Sequence, residues 1–472
     1  MSVLNPDLLA SFKFDLEKRE ELIREAVFAA LTTLPAPDLS ENIVATYFIW
    51  SHNLTPAEVG KEICYHMTSG IRKAPAGSLL YQCTGKVINS ICFDKEQRCG
   101  IVRVAFPLKM LRDEKGKVYS TDILHIAAGA GIFALRENRD SKLCDIAMSD
   151  EVLATFPGPA YGATGVRKLT NLGSDIAFGT ILKPCTGITP QEEADIIYEA
   201  ASNPLFMFIK EDENFLPHVP FAPVKTRAQY AIKAIERAKA KRNGRGLVFA
   251  NHITAPPHLL IDYVKTVLDL GINGLMFSEY YIGGAVRMVR EMTKSMKNPP
   301  AIYGHNGGID SMTHCVWREV LDLLARLDGI DFRQTAPYTH ESMSLLRPYG
   351  LEWRNVESIL TKPLASHAPV MIARAGGLDQ GNLIANLIDI NNNGYDMKNY
   401  LFLAGSAING IKNNQGQYDP KIGVRAMEEA VSIYHKRIFI KIEDCTVFNL
   451  KNTAKQCGFD SLLRALEQRY GK

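Results

Sequence analysis

The chain has 472 residues, 46% of them hydrophobic and 22% charged, and 54 Lys and Arg against 51 Asp and Glu leave a net charge of +3. These values are typical of a globular protein of two or three domains and exclude a strongly basic surface for nucleic acid or anionic lipid. No apolar run approaches the ~18–20 residues of a membrane span, and the acidic N-terminus lacks the apolar core of a signal peptide. Nine scattered cysteines without a C-x-x-C pair indicate reduced thiols, so we expect a cytoplasmic protein.

The predicted elements divide the chain into three regions. Residues 1–150 begin with a helical arm, and a strand at 43–50, a helix at 57–70 and further strand-like runs follow, which indicates an α+β domain with a mostly antiparallel sheet. Residues 151–436 alternate short apolar runs with segments whose apolar residues recur at i, i+3, i+4 and i+7, the pattern of amphipathic helices that cover a sheet. Residues 437–472 are predicted to form a helical tail.

The middle region contains eight predicted strands. They are 176–182, 205–209, 247–251, 272–278, 301–305, 329–334, 369–374 and 400–405. These runs lack hydrophobic alternation, as expected of parallel strands that are buried on both faces. Eight βα units favour a (β/α)₈ TIM barrel over an open doubly wound sheet, for which a G-x-G-x-x-G turn after the first strand is typical. We therefore predict an α/β chain in which an N-terminal α+β domain precedes a C-terminal (β/α)₈ barrel.

The end of the second barrel strand is the most unusual segment, because the strand continues directly into Lys210-Glu211-Asp212-Glu213. Active sites of such barrels lie at the C-terminal ends of the strands. Alternation along the strand places Lys210 and Asp212 on one side, and Glu213 follows at the strand end. Carboxylates suit Mg²⁺, and a lysine that adds CO₂ becomes a carbamate, which is a further anionic oxygen donor. For this segment alone, a solvated charge run in a loop is the alternative.

Polar residues or glycines also follow four other predicted strands. They are Lys183 after the first strand, His305 after the fifth, Gly376 and Gly377 after the seventh, and Gly405 and Ser406 after the eighth. Glycine-rich turns after the last two strands are the usual phosphate site of a barrel. Each feature alone has a structural explanation, such as a packed histidine or a turn glycine. Together they predict a metal, a lysine, a histidine and a phosphate-binding turn around one barrel mouth.

Two of these segments, taken together, resemble the large chain of ribulose-bisphosphate carboxylase (RuBisCO). The first is F-x-K-x-D-E at residues 208–213, and the second is K-P-C-T-G-I at residues 183–188, which is similar to the family's K-P-K-x-G-L. Either segment alone is weak evidence, whereas the combination is specific. The resemblance covers about residues 43 to 440 and includes the order of an α+β domain before a barrel.

The resemblance implies a role for each candidate residue. Lys210 would be carbamylated by CO₂ and would bind one Mg²⁺ per subunit together with Asp212 and Glu213. Lys183 would take part in proton transfer and steady an enediolate oxygen, and His305 would contact the substrate. The phosphate would be held by Gly376, Gly377, Gly405 and Ser406. The family builds its site between two subunits, which implies a homodimer or higher homo-oligomer that acts on a sugar phosphate, without nucleic acid or membrane.

Several departures from the family affect groups that orient the enediolate for CO₂ or stabilise the carboxylated product. Cys185, Asn306 and Ala375 stand where a lysine, an arginine and a serine are expected. In the N-terminal domain, His66, Ile71-Arg72 and Ala130 stand where a glutamate, a Thr-Trp pair and an asparagine are expected. The segment 329–343 after the sixth strand has no lysine. The resemblance is therefore to a RuBisCO-like protein (type IV), and CO₂ fixation is not expected.

The remaining groups fit two routes to one enediolate, both known among RuBisCO-like proteins. Decarboxylation of 3-oxo-isoapionate 4-phosphate to a tetrulose phosphate is the predicted reaction, because Arg333 or Arg72 would bind a carboxylate and no apolar cradle for a methylthio group is evident. Enolisation or isomerisation of 5-methylthioribulose 1-phosphate, and transcarboxylation or hydrolysis of the same oxo acid, are the alternatives. A phosphate contact or a structural ion pair stays open for Arg333.

Two readings outside this family also stay open. One is an inactive barrel kept for assembly or regulation, against which the clustered charges of Lys183, Lys210, Asp212 and Glu213 argue. The other is a different metal-dependent barrel, such as an aldolase or an enolase-like enzyme, which the combination of the two motifs disfavours.

Overall fold

The computed structural model describes residues 16–94, 98–339 and 351–471. It divides into two compact units. The first unit comprises Met1–Pro157 and Ile309–Leu327, and the second comprises Gly158–Gly308 and Asp328–Lys472. Two predicted regions lie partly outside the described residues. They are the loop after the sixth barrel strand, whose sequence has no lysine, and the start of the N-terminal arm.

The first unit is built on a four-stranded antiparallel sheet, as the sequence predicts. Its strands are β1 (Asn42–Ser51), β2 (Lys86–Asp94), β3 (Cys99–Pro107) and β4 (Asn138–Ala147), in the order β2-β3-β1-β4. Almost every residue of β1 is buried, and this central strand pairs with β3 and β4. The exposed and half-buried residues of β2 alternate, which is the pattern of an edge strand with one face toward solvent.

The second unit contains a closed barrel of parallel strands, and this confirms the predicted (β/α)₈ fold. The strands are β5 (Ala177–Ile181), β6 (Phe206–Lys210), β7 (Val248–His252), β8 (Gly274–Phe277), β9 (Ala301–Gly304), β10 (Phe332–Thr335), β11 (Met371–Arg374) and β12 (Tyr400–Ala404). Each lies within or beside one of the eight predicted apolar runs. The closure pairs β12 with β5, so that both predicted phosphate turns and both lysine-bearing strand ends lie at one rim.

Helices surround the strands and extend beyond the last of them. In chain order, α1 to α18 are Leu16–Thr33, Pro56–Cys64, Leu79–Gln82, Ser120–Ala127, Ala130–Phe133, Asp150–Leu153, Gly162–Leu169, Pro190–Ala201, Val224–Ala238, Pro257–Asp269, Ala285–Thr293, Arg318–Asp328, Leu351–Thr361, Leu383–Asn392, Ser406–Asn409, Pro420–His435, Val447–Cys457 and Asp460–Tyr470. Helix α8 begins at Pro190 because Thr189 and Glu192 bond each other's backbone N–H groups, at 3.2 and 2.7 Å.

Aromatic side chains fill the barrel interior. The ring centroid of Phe208 lies 5.3 Å from that of Tyr303 and 4.6 Å from that of Phe332. Since Phe208 points inward, alternation directs Lys210 inward as well, above this packed layer. The helical tail is tied to the barrel unit, because the Tyr470 hydroxyl donates to Asp379 at 2.6 Å. Among the described residues, no helix has the length and apolarity to cross a membrane, and the cytoplasmic location stays a prediction.

Candidate active site

Lys210 is a fully buried charged group at the C-terminal end of the barrel. Its side chain is fully buried, and its Nζ atom donates to the Glu211 carbonyl at 3.1 Å and to Glu213 Oε2 at 3.2 Å. The same nitrogen lies 5.6 Å from the centre of the Tyr303 ring. Burial lowers the pKa of Lys210, although the carboxylates of Glu213 and Asp212 oppose that effect. A neutral amine is the form of lysine that reacts with CO₂.

The carboxylates of Asp212 and Glu213 are both engaged by basic groups. Asp212 is buried, and its Oδ1 atom accepts hydrogen bonds from the backbone and side-chain nitrogens of Asn214, at 3.0 and 2.9 Å. Its Oδ2 atom accepts from the Lys183 ammonium. Burial alone would raise the pKa of Glu213, but the contact with His305 and the charge of Lys210 outweigh it and lower that pKa far below its ordinary value.

Lys183 approaches this pair of carboxylates from the neighbouring strand β5. Its Nζ atom donates to Asp212 and lies 3.0 Å from Cys185 Sγ. Burial alone lowers the pKa of Lys183, but the bonds to Asp212 and Cys185 outweigh this effect, and the pKa is raised. Gly405 leaves room for the side chain, since a Cβ atom at that position would lie only 3.1 Å from Lys183 Cε. The structure thus brings the end of β12 against the predicted proton-transfer lysine.

His305 completes the cluster from strand β9. Its Nδ1 atom accepts the backbone N–H of Gly307 at 3.0 Å, so in the neutral ring the proton resides on Nε2. Nε2 lies 3.3 Å from Glu213 Oε2. Burial lowers the pKa of His305 below its ordinary value, and the neighbouring carboxylate only partly offsets this effect. His305 therefore presents a neutral N–H donor to the site.

The donor set fits a hard divalent cation only if Lys210 is modified. Within the described part of the chain, no three His, Cys, Asp or Glu side chains are grouped closely enough to hold a metal ion. Asp212 and Glu213 alone supply oxygen ligands, and both are neutralised by ammonium groups. A carbamate on Lys210 would convert one of these cations into a third anionic oxygen donor, a ligand chemistry that Mg²⁺ prefers.

The predicted phosphate turns are found at the ends of β11 and β12. Gly376 and Gly377 have φ angles of 76° and 106°, a region that glycine adopts without a steric penalty. A Cβ atom at Gly376 would meet nothing within 4 Å, so this turn faces open space. The turn at Gly405 and Ser406 is held to β5 by Asn409, whose Nδ2 atom donates to the Ile181 carbonyl at 3.0 Å. Phosphate binding by these residues stays a prediction.

Arg333 does not lie with the other candidate residues. Phe332 points into the barrel, so the next residue, Arg333, points outward. The Arg333 side chain is fully buried, forms an ion pair with Glu279 and lies 5.8 Å from the Tyr280 ring centre. Of the roles left open for it, the structural ion pair matches these contacts. The inward residue that the sequence interpretation missed is Gln334, which accepts the Tyr303 hydroxyl at 2.8 Å. Alternation from Phe332 could have identified it.

The polar residues proposed from the N-terminal unit also have partners of their own. The Arg72 guanidinium donates to both carboxylate oxygens of Glu62, at 2.8 and 3.1 Å, and lies 4.6 Å from the Tyr65 ring centre. His66 Nε2 lies 3.7 Å from the same Glu62. Both basic side chains are exposed and share one carboxylate.

An apolar groove that the sequence interpretation did not identify lies beside Lys183. It has a volume of about 410 Å³. Its lining includes Lys183, Pro184, Ile196, Ser406, Tyr418 and Pro420. These residues come from two distant regions of the chain, 183–196 and 406–420, so no local sequence pattern could have indicated them.

Comparisons with known proteins relate the barrel unit to one family. Residues 162–343 match the family model of the ribulose bisphosphate carboxylase large chain, catalytic domain. This segment of the chain is similar to the RuBisCO large-chain catalytic domain. The matched range contains β5 to β10 and both motifs on which the resemblance was based. The RuBisCO family is known to use Mg²⁺ and a carbamylated lysine. The assignment of Lys210, Asp212 and Glu213 to that role stays a prediction.

Individual RuBisCO relatives are distant. A ribulose bisphosphate carboxylase of Thermococcus kodakarensis is 29% identical over 236 residues, which are 49% of this chain and 51% of that protein; the match thus spans about half of that relative's length. The octameric RuBisCO of Pyrococcus horikoshii has a TM-score of 0.74 at 21% identity, over 93% of this chain and 95% of that chain. A rubisco-like protein (MtnW) of Alicyclobacillus acidocaldarius has a TM-score of 0.72 at 21% identity, over 92% and 99%. The two structures share the fold.

Proposed function

We propose that this chain is a Mg²⁺-dependent RuBisCO-like enzyme that forms an enediolate from a phosphorylated sugar or sugar acid and does not fix CO₂. The observation that carries the proposal is the contact of two lysines from neighbouring strands, Lys183 and Lys210, with the adjacent carboxylates of Asp212 and Glu213. Both lysines and both carboxylates lie at the C-terminal end of the barrel, where barrel enzymes act.

Each residue then has a chemical task. Carbamylated Lys210, Asp212 and Glu213 would hold the ion, which supplies stabilisation of the negative charge on the enediolate oxygens. Lys183, whose Nζ–H already donates to Asp212, delivers a proton to the enediolate carbon. His305 donates Nε2–H to a substrate oxygen, and the turns at Gly376–Gly377 and Gly405–Ser406 hold the phosphate through backbone N–H groups.

Decarboxylation of 3-oxo-isoapionate 4-phosphate is the first candidate reaction. The bond between the carboxylate carbon and the α-carbon breaks, its electron pair passes into the enediolate, and CO₂ leaves. The α-carbon then takes one proton, and a tetrulose phosphate results. This reaction needs a proton donor rather than a base, and an ammonium group that donates a hydrogen bond at the mouth, as Lys183 does, suits that need.

Enolisation of a ketose phosphate such as 5-methylthioribulose 1-phosphate is the second candidate, and two observations favour it. The apolar groove beside Lys183 and Ser406 offers the kind of surface that a methylthio group requires. The two arginines considered for a substrate carboxylate, Arg333 and Arg72, are each paired with a glutamate. In this reaction a base removes the α-proton before a proton is returned.

The deciding experiment measures CO₂ release from 3-oxo-isoapionate 4-phosphate by protein that has been incubated with bicarbonate and Mg²⁺. We expect metal-dependent release, and we expect Lys210→Arg, which keeps the charge but cannot form the carbamate, to abolish it. Lys239→Arg, on an exposed helix end, is the matched control and should retain full activity. Exchange of the α-proton of 5-methylthioribulose 1-phosphate with D₂O, without CO₂ release, would select the second candidate. If the protein neither releases CO₂ from the first substrate nor exchanges the α-proton of the second, the proposal is contradicted.

We also propose a homo-oligomer, since the Pyrococcus horikoshii RuBisCO that shares the fold is octameric. Sedimentation velocity on the full chain tests this proposal. A monomer at micromolar concentration would contradict it.

A further inference from the structure

Glu211 separates two of the proposed metal ligands, Lys210 and Asp212, and its side chain points the opposite way. The carboxylate is fully buried outside the strand cylinder. It accepts hydrogen bonds from Arg227 Nε and Nη2 at 3.0 and 3.1 Å, from Asn251 Nδ2 at 2.6 Å and from the His252 backbone N–H at 2.7 Å. Four donors from a helix and a neighbouring strand therefore hold the residue between the ligands.

Arg227 connects that carboxylate to the rest of the ligand-bearing loop. The guanidinium is fully buried on α9, and it also donates to the carbonyl oxygens of Leu216 at 3.1 Å, Ala222 at 2.7 Å and Phe215 at 3.2 Å. The Arg227 guanidinium thus binds both the start of the loop, at Glu211, and the later loop residues that lead into the helix. A lysine ammonium has a single nitrogen and cannot bond all these acceptors at once.

Glu193 provides the third member of the buried cluster. Its carboxylate lies 3.7 Å from Arg227 Nε, on the side of α8 that faces α9. Burial, and next the charge of Glu211, raise the pKa of Glu193 well above its ordinary value. Arg227 hydrogen-bonds both oxygens of Glu211, at 3.0 and 3.1 Å, whereas Glu193 lies farther from it, so Glu211 is its main partner.

We infer that the Glu211–Arg227 pair, supported by Asn251, is a positioning device that sets the direction of the metal-ligand side chains at the end of β6. The inference rests on the proposed function. Because neighbouring strand residues point to opposite faces, fixing Glu211 outward through four bonds fixes Lys210 and Asp212 inward. Loss of such support behind metal ligands typically weakens metal affinity about 10–100-fold.

The test compares conservative variants of two buried arginines. Arg227→Lys removes the fork behind the ligands. Arg290→Lys removes a similar fork at the opposite, N-terminal end of the strands, where Arg290 binds Asp331 and the carbonyls of Gly329 and Pro300, the latter two both at 2.7 Å. Both substitutions keep the charge, so their effects on folding should be similar.

Two measurements other than activity are made, one of the carbamate and one of metal affinity. Both are made at a temperature at which circular dichroism shows that each variant is folded. The carbamate is observed by ¹³C NMR after incubation with ¹³C-bicarbonate and Mg²⁺, and metal affinity is measured by Mn²⁺ electron paramagnetic resonance. We expect Arg227→Lys to weaken metal binding at least ~10-fold and to reduce the carbamate signal, and Arg290→Lys to change either by less than ~2-fold. Equal effects in the two variants would overturn the inference.

A milder variant covers the case in which Arg227→Lys does not fold. Asn251→Ala removes one of the four donors to Glu211 and leaves the ion pair in place. A several-fold loss of metal affinity with a normal melting temperature supports the positioning role, whereas unchanged affinity contradicts it. Wild-type protein that forms no carbamate and binds no Mn²⁺ would instead reject the proposed function, so the two failures are distinguishable.

Discussion

Strands β6 and β10 each remove a basic side chain completely from solvent, and the two side chains have opposite surroundings. Lys210 stands two residues after the inward Phe208 and shares its face, where it meets Glu213. Arg333 stands one residue after the inward Phe332 and turns to the outer layer, where it meets Glu279. One residue of strand register thus separates a candidate catalytic lysine from a structural arginine.

The same rule accounts for strand β11. Ala373 belongs to the interior core, and the next residue, Arg374, is fully buried outside it against Glu357 and Asp389, at 2.9 Å from each. A charged residue inside a barrel strand is therefore no indication of an active site by itself. What indicates an active-site position is whether the residue is an even or an odd number of positions from a residue known to point into the barrel.

The largest expected effect comes from the inner face, at Lys183. Lys183→Met keeps the length of the side chain and removes the proton donor, so we expect kcat to fall about 10²–10⁴-fold, the usual contribution of general acid–base catalysis. Carbamate formation and metal binding should persist, because their ligands are unchanged. Steady-state kinetics with Mg²⁺ present, on whichever substrate is turned over, measures the effect. Lys239→Met is the control, and an undiminished kcat in Lys183→Met would assign the proton transfer elsewhere.

On the outer face, Arg333→Met should act on stability instead. The variant leaves Glu279, which is 10% exposed, without its cation, and breaking a buried pair in this way typically costs about 3–5 kcal/mol of unfolding free energy. We expect a lower midpoint in urea and a kcat within ~2-fold of the wild type for the folded protein. The double variant Arg333→Met/Glu279→Gln should recover part of the loss. A normal midpoint with a KM raised more than ~10-fold would restore Arg333 as a substrate-binding residue.

Local pattern was sufficient for the parts of the molecule that depend on a few consecutive residues. The eight barrel strands are short apolar runs, and the inward direction of Lys210 and Asp212 follows from alternation within one strand. The outward direction of Arg333 follows from the same alternation, counted from the inward Phe332. The Glu211–Arg227 pair depends on how the helix after β6 packs back onto that strand, and the groove beside Lys183 depends on closure of the barrel between β12 and β5. One sequence without its contacts indicates neither.

A smaller effect is expected at Gly405, where β12 approaches Lys183. In Gly405→Ala the new Cβ atom would lie 3.1 Å from Lys183 Cε, so the lysine side chain must move by a few tenths of an ångström. Since misplacement by about 1 Å can cost ~10²-fold, we expect kcat to fall about 3–10-fold with an unchanged KM. Gly283→Ala, where a Cβ atom meets nothing within 4 Å, is the matched control. Equal kcat values in the two variants would mean that Lys183 tolerates the displacement.

The smallest expected effect tests the inward residue of β10. Gln334 accepts the Tyr303 hydroxyl at 2.8 Å and donates to Asn306 Oδ1 at 3.1 Å, and Asn306 stands where the family has an arginine. Gln334→Met removes two neutral hydrogen bonds, each worth about 0.5–1.5 kcal/mol, and releases Asn306 at the mouth. We expect a KM raised a few-fold and a modest fall in the melting temperature, in contrast to Arg333→Met, whose KM should be normal and whose stability loss should be larger. The opposite result would be a raised KM in Arg333→Met and the larger stability loss in Gln334→Met. It would mean that the inward or outward direction of a strand residue does not separate functional from structural residues in this barrel.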